Sequence, residues 1–177
     1  MKYTYIDSPV GKLLVSRNES GITGLYMSTG THAEQQPQEG WQRDAVAFDD
    51  VRTQLDEYWL RRRKTFDLPL SATGNTFQQR VWKALREVPY GETVSYGKLA
   101  AAIGHPEAAR AVGTANAQNP ICIIVPCHRV IGASGKLVGY AGGLEAKKYL
   151  LDLEAPEIEL NLALFEAEER VSANQSV

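Results

Sequence analysis

Residues 121–130 read Ile-Cys-Ile-Ile-Val-Pro-Cys-His-Arg-Val, an apolar run that ends in three chemically active side chains. Such a run is typical of a buried strand or a buried extended segment. Pro126 ends the segment, because proline has no N–H to give to a sheet and keeps the residue before it extended. A thiol, an imidazole and a guanidinium follow at Cys127, His128 and Arg129.

Cys127 is the candidate nucleophile in this stretch. Most free cysteines serve only as small buried hydrophobic residues. A thiol attacks only as the thiolate, however, and a neighbouring imidazole or helix N-terminus favours that form by lowering the thiol pKa. The histidine and arginine directly after Cys127 therefore favour its interpretation as a nucleophile.

The composition sets limits on the rest of the chain. With 177 residues, 44% of them hydrophobic, the chain can build one domain or two small ones with a proper core. We expect no membrane helix, since no apolar run approaches about 20 residues, and no signal peptide in residues 1–10. The two cysteines, Cys122 and Cys127, form no disulfide framework, which predicts a reducing, cytoplasmic setting. The three histidines and two cysteines show no metal-ligand spacing, so we predict no metal site.

Charge is distributed unevenly along the chain. Residues 1–73 carry nine basic and ten acidic side chains, residues 74–154 carry nine and six, and residues 155–177 carry one and five. The middle segment, at +3, is therefore the cationic one, and it permits contact with phosphate without demonstrating it. The Arg61–Lys64 run can be read as a nucleic-acid patch or, more simply, as the solvated end of a helix.

The first part of the chain is patterned for a small α/β unit. Alternation and tight turns over residues 3–27 predict three short antiparallel strands. The polar, aperiodic stretch Thr29–Asp44 predicts a surface loop. Apolar residues spaced by three and four predict a helix over Phe48–Trp59, and Phe66–Leu70 predicts another short strand. Ser71–Thr76 is the expected domain boundary.

The second part is patterned for helices. Apolar spacing predicts a helix over Phe77–Leu85, Ser95 can cap a second helix that ends at Ile103, and a third is predicted over Glu107–Ala117. Two short helices joined by a tight turn outline a helix-turn-helix. Residues Val130–Gly139 predict a hairpin, which would be the wing of such a domain, and Leu144–Glu154 predicts a last helix.

Taken together, these motifs resemble the O6-alkylguanine-DNA alkyltransferase (methylated-DNA–protein-cysteine methyltransferase) family. The resemblance runs from about residue 77 to residue 154, with a weaker match at the turn Asp7–Gly11. It is carried by Ser95-Tyr96-Gly97, Ala109-Arg110-Ala111-Val112-Gly113, Asn119-Pro120, Pro126-Cys127-His128-Arg129-Val130, Gly139-Tyr140-Ala141-Gly142-Gly143 and Glu154.

The resemblance implies an α/β (α+β) architecture in two domains. Residues 1–73 would form a small ribonuclease-H-like N-terminal domain, and residues 74–157 a winged helix-turn-helix domain that binds DNA and carries the alkyltransferase site. Residues 158–177 would form an acidic C-terminal tail, with 171–177 expected to be disordered.

The resemblance also implies an activity. An alkyl group would move irreversibly from O6 of guanine, and from O4 of thymine, to Cys127, so that each molecule acts once and needs no cofactor. The partner would be double-stranded DNA containing O6-alkylguanine, bound through the minor groove with the damaged base flipped out. The protein would act as a monomer, with cooperative binding along DNA as an option, and would not bind membranes.

Each site role implied by the resemblance falls on a matching position. His128 would take the Cys127 proton through a water, and Glu154 would orient the imidazole. Tyr96 would donate to N3 of the leaving guanine and crowd the flipped nucleotide's phosphate. Asn119 would tie the active-site loops together.

The remaining implied contacts lie on the DNA and on the base. Arg110 would enter the stack where the base was, because a planar guanidinium can fill the gap and hydrogen-bond the orphaned cytosine. Two departures from some relatives stand out: Ala141 replaces a serine that contacts guanine O6, and Glu107 replaces a cation on the recognition helix. The other expected DNA-binding residues are Tyr96, Gly97, Gln78, His105 and Ala133, and the expected substrate-binding residues are Val130, Tyr140, Ala141, Gly142 and Lys147.

Two other functions fit the same helical pattern. A damage-recognition protein would keep the fold and lack the chemistry, but relatives of that kind lack the cysteine that stands here at Cys127. A winged-helix transcription regulator would use its cysteines only for packing. The mass of the intact protein after incubation with O6-methylguanine DNA separates all three.

Overall fold

A three-stranded antiparallel meander opens the chain, as predicted. The computed structural model describes residues 1–156, so the predicted tail at 158–177 lies outside the described residues. Strands β1 (Lys2–Ile6), β2 (Leu13–Asn18) and β3 (Gly21–Met27) pair in sequence. A two-residue strand, β4 (Gln42–Arg43), adds in parallel to β1, which gives the strand order β3-β2-β1-β4.

The prediction of a plain surface loop over Thr29–Asp44 is wrong. This stretch contains a 3₁₀ helix, Gly30–Glu34, as well as β4. His32 in the 3₁₀ helix is buried and packs edge-on against Tyr26, with ring centroids 5.3 Å apart. The sequence did not predict this arrangement, because only one side chain in the polar stretch, that of His32, is buried.

A long helix and a connecting segment complete the first part. After a short 3₁₀ turn, Val46–Phe48, helix α1 spans Asp49–Trp59, and its buried face is Val51, Leu55 and Tyr58. The prediction of a strand over Phe66–Leu70 is wrong, since only Leu70 forms an isolated bridge, to Ile22. Pro69, which has no N–H, limits the pairing there, although its carbonyl accepts from the Ile22 N–H at 2.8 Å.

Three helices then form the predicted helical region. Helix α2 (Thr76–Arg86) begins with a capping box in which Asn75 and Gln78 satisfy each other's backbone N–H groups. Helix α3 (Tyr96–Ala102) is capped by Ser95, as predicted. Helix α4 (Ala109–Ala117) begins two residues later than predicted, because a backbone bond from Ala108 N–H to His105 C=O closes a turn around Pro106 first.

The predicted wing hairpin over 130–139 is wrong in its pairing. Strand β6 (Val130–Ile131) pairs in parallel with β5 (Val94–Ser95), just before α3. The loop that follows is closed by the Gly132 N–H bond to the Lys136 carbonyl, at 2.9 Å, and residues 137–139 form no strand. Helix α5 spans Leu144–Glu154, as predicted.

The sheet and the helical region share one buried cluster. Leu25 of β3 donates its N–H to the Pro120 carbonyl at 2.8 Å and accepts from the Cys122 N–H at 3.1 Å. The segment that leads to Cys127 therefore extends the first sheet at the β3 edge, and apolar side chains from both parts of the chain pack together. Over residues 1–156 no helix is long and apolar enough to cross a membrane.

Candidate active site

The apolar run before Cys127 is a sequence of tight turns, so its prediction as a strand or extended segment is wrong beyond Ile121. Ile124 N–H bonds the Cys122 carbonyl at 2.8 Å around Ile123, whose φ is +71°. That is a γ-turn in the left-handed form, which costs a β-branched residue roughly 1–3 kcal/mol. A turn of the opposite, inverse form centres on Pro126, whose φ is −81°, and there Cys127 N–H bonds the Val125 carbonyl at 2.8 Å.

Two buried asparagines hold these turns in place. Asn119 Nδ2 donates to the Val125 carbonyl at 2.9 Å, and its Oδ1 accepts from the Ile121 N–H at 3.0 Å. Asn116, on the buried face of α4, donates Nδ2 to the Cys127 carbonyl at 3.3 Å. Asn119 thus ties residue 121 to residue 125, and Asn116 links helix α4 to the backbone of Cys127.

Cys127 lies at the start of a 3₁₀ helix, Cys127–Arg129, with its side chain buried. Its Sγ is 3.8 Å from Sγ of Cys122, which in turn is 3.6 Å from Nδ1 of His32. The hydrogen bond shared with Cys122 lowers the pKa of the Cys127 thiol against the opposing effect of burial, and Asn119 adds to the lowering. The charge of Lys147 also contributes. Cys127 therefore ionises before Cys122, whose pKa is raised.

His128 is fully buried and held by a carboxylate. Its Nε2 lies 2.8 Å from Oε1 of Glu154, whereas its Nδ1 has no hydrogen-bond partner among residues 1–156. Burial lowers the pKa of His128 in spite of the opposing effect of Glu154. The imidazole is therefore neutral near pH 7, with the proton on Nε2 shared with the carboxylate and Nδ1 free to accept one.

Glu154 is the hub of a buried charged cluster. Arg129 donates to both of its oxygens, from Nε at 2.7 Å and from Nη2 at 2.9 Å. Tyr58, which comes from α1, donates its hydroxyl to Oε1 at 2.7 Å. Burial would raise the pKa of Glu154, but the hydrogen bonds and charges of His128 and Arg129 lower it to about 2. The carboxylate therefore stays ionised throughout the neutral range.

The loop before α5 covers the cysteines. Tyr140 brings a buried hydroxyl there, and burial and the charges of Cys127 and Cys122 raise its pKa well above the usual value. The ammonium of Lys147 is buried and donates to the carbonyls of Val138 and Gly139, at 2.8 and 3.3 Å. Burial lowers the Lys147 pKa to about 8.

The 3₁₀ helix of the first part supports the same loop. Thr29 Oγ1 donates to the Gly142 carbonyl at 2.7 Å, and the His32 N–H donates to the Ala141 carbonyl at 3.3 Å. Gly30 has a φ of +62°, and a Cβ there would lie 2.2 Å from the Ala141 carbonyl oxygen. Only glycine fits this close approach, so the expected substrate-binding residues 141 and 142 are positioned from the first part of the chain.

Tyr96 lies at the start of α3, on the open side of the site. Its hydroxyl is 3.4 Å from the Val138 carbonyl, and its ring packs against α4 at Gly113, where a Cβ would lie 3.7 Å from the ring. Burial, and then the charge of Cys127, raise the pKa of Tyr96, so the phenol keeps its proton as a donor. Val130, another expected substrate contact, is buried directly after the 3₁₀ helix.

The expected DNA-binding residues other than Tyr96 lie apart from the buried cluster. Arg110 is exposed on α4, and Gly97 and Ala133 are exposed at α3 and in the loop after β6. Gln78 is only half-exposed, and its amide is already engaged, with Asn75 in the capping box and with Gln118 at 2.8 Å. His105 packs edge-on against Phe77, with centroids 6.1 Å apart.

Sequence reasoning gave no role to four residues of the site, namely Tyr58, Asn116, Cys122 and His32, and it used Arg129 only as a neighbour that favours Cys127 as the nucleophile. Asn116 left a signal, because a polar residue four positions after Val112 falls on the buried face of α4. No such signal marks Tyr58 or His32. Tyr58 fits the apolar spacing of helix α1, and His32 is one polar residue within a polar stretch. Among residues 1–156 no group of three or more His, Cys, Asp or Glu side chains could hold a metal ion.

Comparisons with known proteins cover both parts of the chain. Residues 1–72 match the ribonuclease-like domain, and residues 76–156 the DNA-binding domain, of 6-O-methylguanine DNA methyltransferase. A methylated-DNA–protein-cysteine methyltransferase of Mycobacterium tuberculosis is 50% identical over 164 residues, which are 93% of this chain and 98% of the relative. One from Methanosarcina acetivorans is 47% identical over 154 residues, 87% and 98% of the two chains. The crystal structure of M. tuberculosis OGT in complex with DNA superposes with a TM-score of 0.82 at 51% identity, covering 88% of this chain and 96% of that one.

Proposed function

This chain belongs to the 6-O-methylguanine DNA methyltransferase family, and we propose that it repairs DNA by moving an alkyl group from O6 of guanine to Sγ of Cys127. The observation that carries the proposal is the sequence-adjacent pair of a buried thiol and a buried imidazole held 2.8 Å from a carboxylate. O4 of alkylated thymine has the same bonding and is included in the proposal. Double-stranded DNA is the partner, approached through its minor groove by a monomer.

The first step is the loss of the Cys127 proton. His128 Nδ1 accepts it through one water, since Cys127 and His128 share no direct hydrogen bond in the described part of the chain. The imidazolium that forms lies against Glu154, whose carboxylate is already ionised. Glu154 thus stabilises the charge on His128 as the thiolate forms, in the manner of the third member of a triad.

The second step forms a carbon–sulfur bond and breaks a carbon–oxygen bond. The thiolate attacks the alkyl carbon, the pair of electrons of the C–O6 bond stays on the oxygen, and the negative charge spreads over the guanine ring. Tyr96 donates a hydrogen bond to N3 as that charge develops. Sγ becomes a thioether, which water does not cleave, so each molecule repairs one lesion and needs no cofactor.

The base must leave the helix before this step, because O6 lies within the stack of duplex DNA. Arg110 is exposed on a helix whose other residues are small, and its guanidinium suits the space that the base leaves. Tyr96 crowds the phosphate of the flipped nucleotide. Two sets of expected contacts remain. The residues expected to contact the DNA backbone are Gly97, His105 and Ala133. Those expected to surround the flipped base are Val130, Tyr140 and Lys147.

The experiment that tests the proposal is the intact mass of the protein after incubation with duplex DNA containing one O6-methylguanine. We expect the protein to gain one methyl group and the DNA to regain guanine. Fragmentation of the tryptic peptide 111–129, which contains both cysteines, should place the methyl on Cys127. Cys127→Ser should abolish the gain while DNA binding persists.

Two results would contradict this function. Methylation of Cys122 would show that Cys122, and not Cys127, is the nucleophile. Binding of the lesion without any mass gain in reduced wild-type protein would favour a damage-recognition role instead.

A further inference from the structure

Two buried, reactive groups, Cys122 and His32, neither bond the substrate nor transfer a proton in the proposed repair reaction. Cys122 lies in contact with Cys127, Sγ to Sγ at 3.8 Å, and His32 lies on the far side of Cys122 at 3.6 Å. All three are buried, and His32 comes from a different part of the chain, 90 residues before Cys122. The three groups form a line from imidazole to thiol to the proposed acceptor sulfur.

We propose that Cys122 is a resolving thiol, which captures Cys127 as an intramolecular disulfide when hydrogen peroxide oxidises it, with His32 accepting the Cys122 proton. The inference goes beyond alkyl transfer, because it concerns what happens to the acceptor before any lesion is met.

The chemistry balances in two steps. The Cys127 thiolate attacks one oxygen of hydrogen peroxide, which gives a sulfenic acid on Cys127 and releases hydroxide. Cys122, having given its proton to His32 Nδ1, then attacks the oxidised sulfur, and the S–O bond breaks. The leaving hydroxide takes up the proton from His32 and departs as water. In sum, two thiols and one peroxide give one disulfide and two waters, and a dithiol reductant reverses the result.

The geometry favours closure of this particular bond. The two sulfurs are already 3.8 Å apart and need to approach to about 2 Å, the length of a disulfide bond. Both cysteines stand on the same pair of γ-turns, so the approach needs no motion of one element past another. Because Cys127 ionises before Cys122, peroxide attacks Cys127 first, and Cys122 remains a thiol that can resolve it.

For a protein that acts once, the disulfide would protect the acceptor thiol from irreversible oxidation. A sulfenic acid that is not captured proceeds to a sulfinic acid, which ordinary thiols do not reduce. A disulfide blocks the acceptor only until it is reduced. His32 is suited to the proton transfer because burial lowers its pKa and keeps the imidazole neutral.

The experiment measures mass in the wild-type protein and in two variants. Reduced protein is treated with hydrogen peroxide, quenched by alkylation of free thiols, and digested with trypsin. We expect peptide 111–129 of the wild type to lose two hydrogens and to carry no alkylating label. In Cys122→Ser the same peptide should gain two or three oxygens on Cys127, and the methyl-acceptor activity lost to peroxide should not return with a dithiol. In the wild type that activity should return to its untreated level.

His32→Gln tests the proton acceptor, with Glu34→Gln as its control on the same 3₁₀ helix. Removing a general base should slow disulfide formation by at least about tenfold, whereas the exposed Glu34 should leave the rate unchanged. Sulfinic acid on wild-type Cys127 without a disulfide, disulfides only between molecules, or no oxidation of Cys127 would each overturn the proposal. Its failure is separable from failure of the repair function, which is assayed in fully reduced protein.

Discussion

Replacement of Glu154 by glutamine should remove most of the stabilisation that the buried charged cluster provides. The pKa of the Glu154 carboxyl, lowered from 4.5 to about 2, corresponds to about 3 kcal/mol of folded-state stabilisation of the ionised form. A second route gives a similar figure. The substitution leaves Arg129 buried without its counter-charge, and breaking one side of a buried ion pair costs about 3–5 kcal/mol. We therefore expect Glu154→Gln to lower the free energy of unfolding by about 3 kcal/mol at pH 7.

The pH dependence makes this prediction specific. Because the folded pKa is depressed, the contribution of Glu154 is fully present above pH 4.5 and is lost as the pH falls toward 2. The assay is urea unfolding of wild type and variant from pH 7 to pH 2.5. The two stabilities should converge below pH 4.5, because protonation of Glu154 in the wild type removes the same charge that the variant lacks at every pH.

Asp152→Asn is the matched control on the same helix. Asp152 pairs with Lys148 at 2.5 Å on the exposed surface, and such a pair contributes about 0.2–1 kcal/mol. A difference between wild type and Glu154→Gln that stays constant from pH 7 to pH 2.5 would refute the reasoning. It would mean that glutamine disturbs packing and that the charge of Glu154 is not what stabilises the cluster.

Three further substitutions test other parts of the site. Arg110→Ala should slow repair sharply in duplex DNA and less in single-stranded DNA. It should hardly affect reaction with free O6-benzylguanine, which needs no flipping. Equal losses with all three substrates would show that Arg110 acts on the fold or the pocket. Tyr58→Phe removes a buried hydroxyl bonded to a carboxylate and should cost about 1.5–3 kcal/mol in urea unfolding, against about 1 kcal/mol for Tyr90→Phe, whose hydroxyl bonds a carbonyl. A larger loss in Tyr90→Phe would contradict the ranking. Ile123→Gly should be more stable than Ile123→Ala by about 1 kcal/mol, because only glycine adopts its φ of +71° freely; the reverse order would mean that the turn is not strained.

Local chemistry made much of the site predictable from sequence. His128 follows Cys127 directly, and Pro126 marks the end of the apolar run, so a nucleophile next to a base could be proposed from adjacent residues alone. The helices were equally accessible, because caps such as Ser95 and apolar spacing act within a few residues.

The parts that sequence could not supply are those that depend on distant contacts. The run from Ile121 to Val125 has the composition of a buried strand, and only the pairing of Leu25 with Pro120 and Cys122 shows that the chain turns instead. The prediction of the wing hairpin was wrong for a related reason, because Val130 pairs with Val94, which is distant in sequence, and not with the opposite side of the predicted hairpin. Tyr58 and His32 reach the site from elements whose local pattern explains them fully.

The bond from Tyr58 to Glu154 and the pairing of Leu25 with residues 120–122 have a consequence for how such a chain can evolve. The junction near residues 72–76 looks like a natural point for recombination, because the two matched regions meet there. An exchange at that point would nevertheless separate the phenol from its carboxylate and the sheet edge from the turns that it holds. Chimaeras of divergent parents should therefore inherit both halves of each contact or lose function, so the two regions are constrained to evolve together.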